Sequence, residues 1–363
     1  MIMKKDAKII FLTVSVLLML GIVMIYSSSA VYAHGTCGDS MYFVKRHFVY
    51  LAMGLIIAVM FMAMPAGRIA GGARAFMFVS LILLIAVLIP GVGKEVGGAR
   101  RWMRFFGFGF QPSEMAKVAL IIYIADLTSR RRCLIQSFRY GLLPPLFVTG
   151  LVGGLVLMEP DMGTAVLVLF MGLVMLFMAG ARIKHLVYLT AGILPVLFFA
   201  VICEQYRIKR ILTFFNPWSD ARGAGFQLIQ SFIALGSGGF FGVGLGASKQ
   251  KLFYLPESHT DFIYSIIGEE LGFLGTASVL MLFAVLIWFS FRLSFKIRDT
   301  FASRVVFGIS VMFAFEVIVN IGVSTGMLPT KGLPLPFISY GGSSLVCHLA
   351  AVGLLLNMAR EAE

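Results

Sequence analysis

The stretch PESHTDFIYS at residues 256–265 sets Glu257, His259 and Asp261 side by side, directly before a long apolar run. A carboxylate in a partly dry cavity has its pKa raised by desolvation, and that improves it as a proton acceptor. Asp261 is therefore a candidate general base, with Glu257 and His259 as its setting. Ser258 and Asp261 also fit the [ST]xx[DE] capping box, which would only start the next helix. Spacing alone favours the cap, and the two roles are compatible. Further on, SIIGEELGF carries Glu269 and Glu270. At 100° per residue, Glu269 lies about 80° around a helix from Asp261, and Glu270 lies about opposite. Glu269 is thus placed to share the Asp261 cavity, and Glu270 to pair with a basic residue elsewhere. Buried ion pairs that fix helix packing would account for both equally well.

Candidate cations lie in ARRWMRFFGFGFQPSEMAKVAL, where Arg100, Arg101 and Arg104 precede Pro112, Glu114 and Lys117. Proline suits the first turn of a helix and an acid suits its positive end. An ammonium one turn further in needs a partner or an anionic ligand. Glu114, three residues away, is the local partner for Lys117. A pyrophosphate is the alternative, since arginine binds it bidentately and lysine as a point charge. Lys249 and Lys251 are further cations near the acids. The glycines at 236, 238, 239, 242, 244 and 246 do not form GxxxxGK[ST], nor does PGVGKEVGG at 90–98, so nucleotide-driven transport is excluded. They read as a close-packed turn with backbone N–H groups that could meet an anion. EPDMGT (159–164) reads as a tight turn capping the next helix, and LPLPFISYGGSS (333–344) as a broken helix start that lines a cavity or kinks for packing. The histidines show no metal-ligand spacing and the four cysteines no CxxC pair, so no metal site is expected.

The elements that position these groups are membrane helices. The chain is 59% hydrophobic and 13% charged, and its apolar residues come in blocks long enough to cross roughly 30 Å of hydrocarbon. Ten spans are expected, near 9–33, 47–66, 75–93, 113–128, 141–158, 162–181, 185–203, 262–291, 305–328 and 335–358. The fourth is short and carries Glu114, Lys117 and Asp126. The run from Ile9 to Tyr32 is too long for a signal-peptide core and reads as the first span. The expected class is an all-α polytopic membrane protein, one domain over residues 1–363, with a long outer loop at 204–261 between spans seven and eight. Basic residues such as Arg130, Arg131, Arg132, Lys296 and Arg298 fall in inner connections, which places both termini in the cytoplasm. The outer exceptions gather in two loops, Lys94 to Arg104 and Arg207 to Lys251. An anionic ligand at the outer face, or tolerance of charge in longer loops, explains them.

The motifs GARRWM…FQPSEMAK, EPDMGTA, NPWSDARGAGFQLIQSFIALGSGGFFGVGLGASKQKLFYLPESHTDFIYSIIGEELGF and LPLPFISYGGSS run in order from Gly98 to Ser344. Together they resemble the SEDS family (shape, elongation, division and sporulation), and GVGLGASKQKLFYLPESHTDF with IIGEELGF resembles its division branch or that branch's sporulation relative. The chain departs from the family pattern at Thr330–Lys331, where that pattern is usually more apolar. The resemblance implies a peptidoglycan glycosyltransferase that polymerises lipid II into glycan strands at the outer face of the bacterial inner membrane, with inversion and release of undecaprenyl pyrophosphate. It implies Asp261 as the essential aspartate and a class B penicillin-binding protein transpeptidase as partner. Lipid II, the nascent glycan strand, membrane lipid and other divisome proteins complete the expected partners, at the division septum and without nucleic acid. Lys117, Arg101 and Arg104 are then candidates for the pyrophosphate, with Lys249 and Lys251 behind them. A divalent cation could bridge carboxylates and pyrophosphate, although no motif demands one. A lipid II flippase and a non-catalytic divisome scaffold are the competing readings. A flippase needs polar groups along the whole crossing path, and a scaffold would tolerate loss of the Asp261 carboxylate.

Overall fold

Long apolar runs fold as helices in lipid because a helix satisfies its own backbone. The computed structural model describes residues 5–361 other than Gly97 and Phe106, and it is built in this way. The helices are α1 Lys5–Cys37, α2 Tyr42–Ala63, α3 Ala66–Leu88, α4 Pro112–Arg130, α5 Leu143–Met158, α6 Met162–Met178, α7 Ile183–Ile202, α8 Gln205–Phe215, α9 Phe226–Ser237, α10 Ile263–Lys296, α11 Thr300–Ser324 and α12 Gly342–Met358. Among the described residues, eight of these elements are long and apolar enough to cross a membrane: α1, α2, α3, α5 with its preceding turn, α7, α10, α11 and α12. The chain is an integral membrane protein. The other two expected spans coincide with α4 and α6. Helix α6 has only 17 residues, and α4 carries Glu114, Lys117, Asp126 and Arg130.

Packing accounts for the charges of α4. It lies against α3, α6, α11 and α12, and nearly all its residues are buried. Its polar groups therefore face protein, where an ionisable residue in a membrane segment can be paired. Helix α7 is the opposite case, for none of its residues is buried. Two expected boundaries shift. The third span begins at Ala66 instead of near 75, because Arg68 and Arg74 are already helical. The last begins at Gly342 rather than near 335, since Pro334 and Pro336 disfavour helix there and residues 336–338 form a turn instead.

The all-α expectation also omitted a small sheet. Strands β1 Gly93–Val96, β2 Ala99–Phe105 and β3 Phe108–Phe110 form an antiparallel meander between α3 and α4. The aromatic-rich run RWMRFF, flanked by glycine turns, suits short paired strands. Tyr50 on α2 fixes β3 from below: its hydroxyl donates to the Gly109 carbonyl at 3.2 Å and accepts from the Gly109 N–H at 3.0 Å.

The glycine-rich stretch of the long connection before α10 serves that helix. That helix breaks at Gly272, whose φ of 67° only glycine adopts readily. The Val243 and Gly244 N–H groups donate to the freed Glu269 and Glu270 carbonyls at 2.9 and 3.0 Å. A Cβ at Gly242 would lie 2.1 Å from the Glu270 carbonyl oxygen. At positions 243 and 244 the expected anion-binding N–H groups are therefore spent on closing a broken helix.

Candidate active site

Asp261 lies just ahead of α10, whose N-cap is Phe262 and has no side-chain cap bond. The capping box expected from Ser258 and Asp261 does not form. Among the described residues, the Asp261 carboxylate makes no hydrogen bond or ion pair. Its backbone, by contrast, is held closely. Three successive carbonyls each accept a bond from the far wall: His259 from the Tyr340 N–H at 2.9 Å, Thr260 from the Ser339 hydroxyl at 2.5 Å, and Asp261 from the Asn320 amide at 3.0 Å. Asn320 also donates to the Leu333 carbonyl at 2.7 Å, so one buried amide ties Asp261 to the 330s segment. A Cβ at Gly332 would lie 2.4 Å from Asp261 Oδ2, so only glycine leaves room for the carboxylate in this position. Burial first, then Glu257 and Asp161, pushes the Asp261 pKa up to about 7 against the pull of Arg210 and Arg101.

The carboxylate borders a cavity of about 1400 Å³. Its outer end is polar, lined by Glu257, Asp261, Arg101, Arg207, Arg210, Glu204 and Lys331. Arg101 donates to the carbonyls of Glu159 at 3.0 Å and Pro160 at 2.5 Å, and approaches Asp161 at 3.8 Å. Asp161 caps α6 through Thr164 and also meets the Lys331 ammonium at 3.2 Å. Burial raises the Asp161 pKa, but Lys331, Arg101 and the Thr164 bonds overcome this and hold it below the usual range. Below this mouth the lining turns apolar, with Val166, Phe170 and Val174 of α6 facing Phe307, Val311 and Phe315 of α11. Thirteen residues of helix, Met162 to Val174 or Phe307 to Val319, rise over about 18 Å and place this groove over that depth.

Comparison with known proteins places this architecture. The model for a cell cycle protein family, FtsW/RodA/SpoVE, matches residues 7–363. The chain belongs to this family. It is 46% identical over 350 residues to the probable peptidoglycan glycosyltransferase FtsW of Trichlorobacter lovleyi, covering 96% of this chain and 92% of that one. It is 43% identical over 361 residues to stage V sporulation protein E of Bacillus subtilis, covering 98% of each. Among solved structures it resembles a chain described under structural coordination of polymerization and crosslinking by a peptidoglycan synthase complex. That match has a TM-score of 0.79 and 32% identity, over 97% of this chain and 96% of the other.

Within this family member, the residues singled out from sequence divide into two groups. Asp261, Glu257 and Arg101 meet at the cavity mouth, and Glu257 accepts from the Thr260 hydroxyl at 2.7 Å. The others lie elsewhere. Lys117 is buried between Glu114 at 2.9 Å and Glu316 at 2.5 Å, and His348 adds a contact to Glu316 at 2.8 Å. This cluster joins α4, α11 and α12 and does not line the cavity. Glu269 accepts from the Ser248 hydroxyl at 2.5 Å and the Lys249 N–H at 2.9 Å, so it pins the segment around 248–249 rather than sharing the Asp261 cavity. Lys251 pairs with Glu270 at 2.8 Å, the pairing expected for that acid. The Lys249 side chain and Arg104 are exposed, away from the cavity lining.

His259 is buried in an aromatic nest of Tyr32, Phe43 and Tyr340. Burial lowers its pKa against the pull of Glu257, so it packs as a neutral ring beneath the 257–261 segment. The one three-ligand grouping among the described residues is Glu114, Glu316 and His348, and the Lys117 ammonium already sits between its two carboxylates. Sequence reasoning noted Lys331 only as a departure from the family pattern and Arg210 only as one of the loop cations, and it passed over Asp161 as a counter-ion, Glu316 and Asn320. For Glu316 and Asn320 a signal existed, since a lone polar residue in a membrane span is a functional or pairing site by default.

Proposed function

We propose that this chain is a peptidoglycan glycosyltransferase in which Asp261 is the general base. The observation that carries this reading is an unpaired carboxylate, with its pKa raised to about 7, at the polar end of a cavity that continues as an apolar groove. A lipid-linked sugar has the same two-part character. Its polyprenyl tail fits a groove about 18 Å deep in the membrane, while its pyrophosphate and sugars reach the cationic mouth.

In the reaction, the acceptor sugar hydroxyl of lipid II gives its proton to Asp261, and its oxygen bonds to the anomeric carbon of the growing strand. The bond from that carbon to the pyrophosphate oxygen breaks with its electron pair, and undecaprenyl pyrophosphate leaves with inversion at carbon. Arg101 and Arg210 stand where negative charge develops, and fixed cations there stabilise the transition state more than the ground state.

The flippase reading requires polar groups along the whole path. Here the charged lining is confined to one end of the cavity, and the buried ionic cluster at Lys117 lies outside it, which favours polymerisation. We place the polar mouth at the outer face of the bacterial inner membrane, with both termini inside and a class B transpeptidase as partner. Division is the role we assign, following the resemblance of its acidic stretch to the division branch. Purified full-length protein, with that transpeptidase, should convert lipid II into glycan strands that a muramidase digests. Translocation of lipid II without polymer would support the flippase instead.

A further inference from the structure

The Lys331 side chain is absorbed by neither the base nor the fold. Its stem crosses the start of α6 so closely that a Cβ at Gly163 would fall 1.7 Å from Lys331 Cε. The ammonium emerges into the cavity that holds Asp261, and its bonded partner there is Asp161 at 3.2 Å. Asp161 is shared, because Arg101 also approaches it at 3.8 Å. Arg210 stands on the other side, donating to the neighbouring Thr330 carbonyl at 3.5 Å. Two cations thus converge on Asp161, with Arg210 held beside them at Thr330.

We infer that Lys331 is the leaving-group residue: its ammonium rests on Asp161 in the free site and moves to the pyrophosphate oxygen as the glycosidic donor bond breaks. This rests on the glycosyltransferase reading and specifies its anion site. The balance is simple. The acceptor proton goes to Asp261, the electron pair of the breaking bond goes to the pyrophosphate oxygen, and Lys331 stays protonated throughout. Burial lowers the Lys331 pKa to about 8, opposed by Asp161 and reinforced by Arg101 and Arg210. The site therefore holds this cation against its own preference while no second anion is present. An arriving pyrophosphate removes that cost, and Asp161 takes the ammonium back when the product leaves. The second wall of the device is fixed by Asn320, which holds the Leu333 and Asp261 carbonyls together.

The test uses the full-length protein with its transpeptidase partner, measuring lipid II polymerisation and inhibition by undecaprenyl pyrophosphate and by undecaprenyl phosphate. Loss of one transition-state donor costs roughly 100-fold or more in turnover, and this is expected for Lys331→Met. A charged hydrogen bond is worth about 10-fold or more in affinity, so the same variant should lose its preference for the pyrophosphate over the monophosphate lipid. Lys331→Arg should keep most of both, which a purely structural role at this position would not. Asp161→Asn still caps α6 but frees the ammonium, so it should bind undecaprenyl pyrophosphate more tightly and turn over more slowly. Lys331→Met retaining wild-type turnover, or retaining the preference for pyrophosphate lipid when folded, overturns the inference. A wild-type complex that makes no glycan overturns the glycosyltransferase reading as well, and this inference with it.

Discussion

Asp261→Asn should leave a folded protein that polymerises lipid II at least about 100-fold more slowly, approaching 10⁴-fold if proton transfer is fully rate-limiting. The amide has nearly the same shape, so the Gly332 approach and the three carbonyl bonds at His259, Thr260 and Asp261 survive. What is lost is an acceptor with a pKa near the working pH. Because α10 begins without a side-chain cap at Phe262, removing the carboxylate costs the helix no cap. An effect on turnover with an unchanged unfolding midpoint is therefore the expected pattern, read from purified protein in one detergent. Turnover within a few-fold of wild type would return the site to the scaffold reading.

Lys117→Met should act in the reverse order, on the fold before the chemistry. The ammonium is 2.9 Å from Glu114 and 2.5 Å from Glu316, all three fully buried. Removing the cation leaves two carboxylates facing each other in a membrane bundle. Breaking a buried pair by deleting one partner costs about 3–5 kcal/mol, whereas deleting all the charges together can be nearly neutral. The single variant should lower the unfolding midpoint and the folded yield. Adding Glu114→Gln and Glu316→Gln should recover much of the loss. A Lys117→Met protein with a wild-type midpoint and no turnover would instead put this lysine at the pyrophosphate, the role first expected from its position.

The contrast between Lys117 and Lys331 shows what spacing conveys. A lysine three residues after a glutamate, inside an apolar run, is visibly in need of a partner. The second partner, Glu316, lies 199 positions away and only the packing of α4 on α11 supplies it. Lys331 gave no such signal, since a lysine between two prolines of an outer loop looks solvated. Its burial arises where the 330s segment folds over Gly163. The ten apolar runs were legible because helices in lipid have a fixed minimum length, and their positions agree with ten of the helices described. The sheet of residues 93–110 was not, because its strands are short and their pairing depends on Tyr50 of a distant helix. The acidic stretch at 257–261 was found at once, but its favoured capping role was not realised. The local pattern carried no information about Asn320, Ser339 and Tyr340, which hold that loop from another part of the chain.

The pH dependence of kcat/KM tests the base assignment most directly, since it reports ionisations of the free enzyme. Desolvation holds the Asp261 carboxyl protonated up to about pH 7, and only the ionised form can accept a proton. Lipid II polymerisation should therefore rise about tenfold per pH unit below 7, level off, and fall again above about 8 as Lys331 loses its proton, and the residual rate of Asp261→Asn should lack the break at 7. A wild-type profile flat from pH 5 to about 8, or the same break persisting in Asp261→Asn, would contradict the assignment of Asp261 as the base.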